Sequence, residues 1–412
     1  MVLGLESGSY RLTLQRGNSF FRAEIYLPEN RQTTLAMRDF SMIAAGTGTR
    51  RGDSGLSTDD EFPNNFFSLQ VWPGFDITGR AWEKVTDNFL LALFLGKGQN
   101  INGVGAATFG LINSGYVRGL QASGLFNFAG GKVTGTQASG LFNIAGDYFY
   151  GVQASGLFNK AGEEVYGLQA SGLFNFTSGD VNGLQASGLF NFAGGSASGF
   201  QATGLFNTAK EIKGFQASVI NINGGGSGFM LGVINISESE NMVPMGVINV
   251  IKNGIMHPAV FYDDMLFTNI SFRSGSKYFY SVLSAGVNGG VLSGSGDRLM
   301  IYRAGFGFEF TVQKFFINID ATGGNIINLD AINTKLNESE TYSDFMTNIS
   351  QLRLIAGYKI FPHLGVFAGL SYDYIFRNKD NSPDPEDFGG PVVGVVFDRH
   401  IHKLGFFGGI QF

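Results

Sequence analysis

Apolar and polar side chains take turns along the last third of the chain. Tyr302, Ala304, Phe306, Phe308, Phe310 and Val312 share one parity, and Arg303, Gly305, Gly307, Glu309 and Thr311 the other. Leu352, Leu354, Ala356, Tyr358 and Ile360 alternate in the same way with Arg353, Gly357 and Lys359. After a tight turn at Phe361-Pro362-His363, the series Leu364, Val366, Ala368, Leu370, Tyr372 and Tyr374 alternates with Gly365, Phe367, Gly369, Ser371 and Asp373. A period of two places successive side chains on opposite faces of a β-strand. In water such strands would expose a wall of aromatics or hide a row of charges. Apolar-out and polar-in is the pattern of a transmembrane β-barrel.

The middle of the chain is a repeat. QASGLFN begins at Gln121, Gln137, Gln153, Gln169 and Gln185, and QATGLFN at Gln201, a spacing of 16 residues. A degenerate copy starts at Gln216, and Gly-apolar-apolar-Asn cores end at Asn113, Asn235 and Asn249. With each Gln as position 1, positions 10 to 12 are turn-like, as in Gly130-Gly131-Lys132 and Gly146-Asp147-Tyr148. The remaining 13 residues alternate between small or polar side chains (Val, Gly, Gln, Ser, Leu, Asn, Ala) and apolar ones. As one strand of roughly 3.3 Å per residue tilted by about 40°, they would span about 33 Å, enough for a hydrocarbon band about 25 Å tall. Lys160, on the apolar face, would lie near a strand end.

Two folds keep this parity. The first expectation is an all-β transmembrane antiparallel β-barrel of about 16–22 strands, with the 16-residue repeats as successive strands. The alternative is a β-solenoid repeat region followed by a smaller C-terminal barrel, in which identical residues of successive coils stack as ladders. Three regions are expected: an N-terminal short-strand region at 1–100, the repeats at 101–252, and amphipathic barrel strands at 253–412. Within the first, Tyr10 to Leu14, Arg22 to Leu27 and Phe66 to Val71 read as strands, and Thr47 to Asn65 as a polar loop.

Composition narrows the function classes. The charged fraction is 15%, against roughly 25% in ordinary soluble domains, which suits a surface facing lipid. Gly is abundant at 61 and Pro scarce at 9, favouring many strands with tight turns. There is no Cys, so disulfides, Cys-ligated metals and thiol catalysis are excluded. A net charge of −5 offers no basic stripe, so nucleic acid is not an expected partner. The longest apolar run, Phe89 to Leu95, is far short of the roughly 20 residues of a spanning helix. The opening residues lack a basic n-region and a long apolar stretch, so a processed or trimmed start is expected.

Candidate chemistry is sparse. No cofactor and no catalytic residue is expected, since no nucleophile elbow or phosphate loop is present. Arg303, Glu309, Asp320, Arg353, Lys359 and Asp373 fall on the polar faces of late strands. They form either an ion-pair network stiffening the wall or a constriction selecting small polar solutes. The repeats add an uncharged ladder of Gln121, Gln137, Gln153, Gln169, Gln185 and Gln201 with Asn127, Asn143, Asn159, Asn175, Asn191 and Asn207. His400-x-His402, the acidic segment from Asn378 to Asp387 and the tripeptide Arg51-Gly52-Asp53 read as surface features rather than metal or integrin sites.

The final strand, with Leu404, Phe406, Gly408, Ile410 and Phe412, resembles the C-terminal signal of bacterial outer-membrane proteins. That resemblance implies outer-membrane lipid and, through Phe412, the barrel-assembly machinery as partners. The repeat array, the GVINIS and GVINV segments and the stretch from Phe261 to Ile270 resemble a surface-repeat family of Gram-negative bacteria with arrays like GVQxxGLFN. The resemblance implies an envelope location and no known catalytic residues. The expected function is therefore a passive channel or structural wall protein, or alternatively a surface repeat protein for interaction or adhesion anchored by a C-terminal barrel.

Overall fold

The computed structural model describes residues 8–16, 19–27, 41–43, 62–73, 75–76, 85–265, 267–294, 298–330, 346–377 and 400–412. The chain divides into two compact units, Met1–Asn64 and Asn65–Phe412. In the first, Gly8–Arg16, Ser19–Leu27 and Ser41–Ile43 form an antiparallel three-stranded sheet that contains both strands expected there. Arg51-Gly52-Asp53, most of the Thr47–Asn65 loop and the acidic segment from Asn378 to Asp387 lie outside the described residues.

The repeats are not wall strands. They stack in parallel, one coil on the next, and the single large barrel is replaced by a solenoid followed by a smaller barrel. Each 16-residue coil has a long strand such as Val117–Ser123 and a short one such as Phe126–Ala129, separated by corners at Gly124-Leu125 and Gly130–Lys132. Equivalent residues pair in register, Gln121 with Gln137 and Asn127 with Asn143. Parallel pairing begins at Thr86 with Asn100 and ends at Ser237 with Ile251. Asn64–Trp72, which includes the expected Phe66–Val71 strand, joins the start of the stack, where Leu93 N–H donates to Gln70 O at 2.8 Å.

Glycine explains why the 13-residue segment breaks rather than running on as one strand. Gly151 has φ +130° and lies so close to the Gly135 carbonyl that a Cβ would overlap it. Gly140, at position 4, sits equally close to the Gly124 carbonyl, which lets the chain turn while consecutive coils stay in contact. The coil interior is narrow and has two halves. Next to the 10–12 corner it is apolar, with Val117, Ala129, Val133, Ala145 and Phe149 fully buried. Next to the 4–5 corner it holds the Gln and Asn rows.

Eight of the described strands close into an antiparallel barrel: Ile255–Asp263, Phe267–Gly275, Phe279–Asn288, Leu299–Val312, Phe315–Asn328, Met346–Phe361, Leu364–Arg377 and His400–Gln411. The first pairs with the last, Val260 with Ile410, so no edge remains. Residues 276–278, 313–314 and 362–363 are tight turns at one end, while Asp264, Met265 and the short helix Gly289–Ser293 lie at the other. The solenoid enters at the short-turn end, where Lys252–Gly254 leads directly into Ile255.

The last coil stops against the outside of the barrel wall. In the preceding coil Gly232 N–H donates forward to Met245 O; one coil later Gly246 N–H donates to Ser281 Oγ at 3.3 Å. Asn249 N–H donates to Ser274 Oγ at 3.1 Å, and its side chain reaches Ser274 O at 3.0 Å and Ser281 Oγ at 3.1 Å. Ser274 and Ser281 face each other across neighbouring strands, on the side opposite the lumen residues Arg273 and Tyr280. Two serines on the outer wall thus stand where the next coil would be.

Candidate functional site

The barrel interior gathers all six charged residues expected on the polar faces. Asp320 is fully buried and accepts from Arg353 Nη2 at 2.8 Å, from Arg273 Nη2 at 3.4 Å and from the Tyr280 hydroxyl. Asp320 is on the fifth barrel strand and these partners come from the second, third and sixth, so the cluster crosses the bore. Arg303 donates to Asn269 Oδ1 at 2.6 Å and Gln351 Oε1 at 3.1 Å, and lies 3.6 Å from Asp263. Glu309 accepts from Lys359 Nζ at 3.3 Å and from the Thr311 hydroxyl at 2.8 Å. Asp373 accepts from the Ser371 hydroxyl at 2.9 Å. The Arg353 guanidinium also rests against the rings of Phe261 and Phe407, 5.6 Å from each.

Eight strands enclose a bore that side chains alone can fill. Here they do: Arg273, Arg353, Asp320 and Tyr280 are each no more than 1% exposed. Lys359 is the most accessible of the six, its side chain 27% exposed. Arg273, Tyr280, Asp263, Asn269 and Lys403 belong to the same interior but are absent from the sequence candidates. Parity marks Arg273 and Tyr280, which alternate with Phe272 and Phe279, yet the strands containing them are short and their outer face carries serines.

The second polar array is the solenoid ladder. All twelve Gln and Asn candidates are buried. Gln137 Nε2 donates to Gln121 Oε1 at 2.6 Å, and Gln153 Nε2 to Gln137 Oε1 at 2.8 Å. Asn143 Nδ2 donates to Asn159 Oδ1 at 3.0 Å and to Ala154 O at 2.6 Å. Each amide therefore bonds the equivalent amide of an adjacent coil, and the Asn amides also bond backbone carbonyls at positions 1 and 2, as Asn143 does to Gln137 O and Ala154 O. The ladder lines no channel.

Outward faces are apolar in both parts. On the barrel, Phe306, Phe308, Phe310, Ile317, Ile319, Leu352, Leu354, Leu370 and Phe406 are all exposed. From Ser350 to Ile360, ten steps of roughly 3.3 Å at a tilt of about 40° give an apolar belt about 25 Å tall. Tyr302, Tyr374, His400 and His402 border it towards the end opposite the tight turns. His400-x-His402 lies on this outer face, with Nδ1 of His402 2.7 Å from the Tyr372 hydroxyl and Nδ1 of His400 2.5 Å from that of Tyr374. The pair belongs to an aromatic border.

On the solenoid, Phe126, Phe142, Phe158, Phe174 and Phe190 form a continuous stack with centroids 4.8–5.3 Å apart. Lys160 stands on this outer face, 6.0 Å from the Phe176 ring. Charge collects at the 10–12 corner, where burial raises the Asp147 carboxyl above its usual range and Glu163 raises the Tyr148 phenol.

Comparison with protein-family models, curated proteins and solved structures returned no match.

Proposed function

We propose that this chain is a barrel-anchored repeat protein of a Gram-negative outer membrane, in which the barrel is the anchor and the solenoid is the interaction module. The observation that carries this reading is the filled bore. A barrel with an apolar outside and an inside crossed by Arg273, Asp320 and Arg353 has the surface of a membrane-spanning wall and a bore that, among the described residues, is bridged by buried side chains. Such an interior favours the ion-pair role for the six charged candidates over selectivity. The solenoid presents repeated faces on a long, quasi-one-dimensional frame, a common basis for extended binding surfaces. It joins the barrel at the short-turn end, which in outer-membrane barrels faces the periplasm. That supports an interaction inside the envelope over adhesion at the cell exterior.

Reconstitution into lipid vesicles tests the reading. The chain is expected to require detergent or lipid to stay dispersed, to insert with its barrel strands protected from protease, and to give no step conductance in a planar bilayer. A freely soluble monomer without detergent would remove the anchor. Reproducible conductance steps would restore the channel.

A further inference from the structure

The solenoid is amphipathic across its width. Positions 2 to 6 of every coil, from Ala106 to Ile248, carry no charged residue; in the regular repeats they read Ala-Ser-Gly-Leu-Phe or Ala-Thr-Gly-Leu-Phe. The opposite corner holds Lys132, Asp147, Glu163, Asp180, Lys210 and Glu211. Along the uncharged corner the position-5 side chains, from Phe109 through Leu125 and Leu205 to Val247, are 37–48% exposed in every coil. Nine coil-to-coil steps at about 4.8 Å make this a ridge about 43 Å long. Where the coils shorten, the ridge widens into an apolar trough of about 610 Å³ lined by residues such as Ala202, Gly204, Val219 and Val233. A contiguous apolar strip of this length, with the charges gathered at the opposite corner, marks a membrane or a partner.

The seating of the last coil decides between them. Backbone N–H groups of a parallel stack point along its axis, and those of Gly246 and Asn249 end on Ser281 and Ser274, whose side chains point outward from the barrel wall. The solenoid axis therefore leaves the wall sideways, across the direction in which the barrel spans, rather than continuing its bore. The charged corner runs into the barrel rim through Lys252–Gly254. The uncharged corner is held at Ser281, two residues into its strand. The apolar ridge is thus continuous with the apolar belt of the barrel, and the charges lie towards the rim.

We infer that the solenoid lies along the periplasmic leaflet, with its uncharged corner sunk among lipid acyl chains and its charged corner in water. It is a β-structured counterpart of an interfacial amphipathic helix. The inference rests on the barrel being the anchor. Lys97 and Lys160, the charges on the outer face of the short strands, sit beside the ridge rather than on it, where their long stems can reach the headgroups.

The absence of Cys allows single-Cys variants of the full chain, spin-labelled in vesicles and probed with lipid-soluble oxygen and an aqueous nickel chelate. Leu354→Cys reports on the barrel belt, Leu157→Cys and Leu189→Cys on the ridge, and Glu163→Cys on the charged corner. The expected result is a several-fold oxygen preference at 354, 157 and 189, and a chelate preference at 163. Oxygen preference at 354 with chelate preference at 157 and 189 overturns the inference and leaves the anchor. Shielding of 157 and 189 from both probes also overturns it, in favour of a protein covering the ridge. Chelate preference at 354 removes the anchor and the inference together.

Discussion

Asn159→Leu isolates what the amide ladder contributes. Asn159 is fully buried; its Nδ2 donates to Ala170 O at 2.7 Å, to Asn175 Oδ1 at 3.0 Å and to Gln153 O at 3.2 Å, while its Oδ1 accepts from Asn143 at 3.0 Å. Leucine is close in size, so the change acts through hydrogen bonds rather than a cavity. Asn143 keeps its bond to Ala154 O, but the buried Asn175 Oδ1 and Gln153 O lose this donor, as does the half-buried Ala170 O. A buried polar atom left without a partner costs about 1–3 kcal/mol, so two place the loss at about 2–6 kcal/mol. At 1.4 kcal/mol per tenfold, amide exchange in the coils around Asn159 is expected to accelerate by about 30-fold to 10⁴-fold. Hydrogen exchange on the full chain in vesicles reads this coil by coil. Because each coil touches only its neighbours, the barrel strands should keep their protection. An acceleration below about threefold, against the tenfold per 1.4 kcal/mol scale, would refute a structural role for the ladder. Equal loosening of solenoid and barrel would refute the one-dimensional stack.

Other perturbations separate the remaining forces. Gly151→Ala places a Cβ on the Gly135 carbonyl at φ +130°, and is expected to lose at least about 1–3 kcal/mol by exchange, whereas Gly131→Ala, with more room, should cost less. Asp320→Asn leaves the buried Arg353 and Arg273 facing a neutral group; urea titration of the vesicle-bound barrel should show a loss of about 3–5 kcal/mol, and wild-type stability would argue against the cross-bore network. Leu354→Arg should cost about 2–4 kcal/mol of insertion free energy and Val312→Arg, at a strand end, about 0–1 kcal/mol; equal costs would argue against a lipid-facing belt.

The alternation along residues 302–312 and 351–374 was enough to place Arg303, Glu309, Arg353, Lys359 and Asp373 inside and Phe306, Leu354 and Tyr372 outside. Parity is a local property of extended backbone, so it survives whatever the strands pair with. The repeat's Gln and Asn rows were legible as inward for the same reason, and the 16-residue period marked one structural unit. Less legible was Leu125. It shares the parity of Gln121 and Asn127 but points outward, because the corner at Gly124 resets the alternation.

Chain pairing was decided only in three dimensions. A 16-residue unit with one polar and one apolar face serves equally as a hairpin wall or as a stacked coil. What favours the coil is contact between residues a full repeat apart: the Gly135 carbonyl against Gly151, and the amide of Gln137 against that of Gln121. The same holds for closure of the bore, where Arg273 meets Asp320 from strands on different sides of the lumen, and for the docking of Asn249 on Ser274 and Ser281. Faces follow from neighbours along the chain; partners follow from distances between segments, which no local pattern encodes.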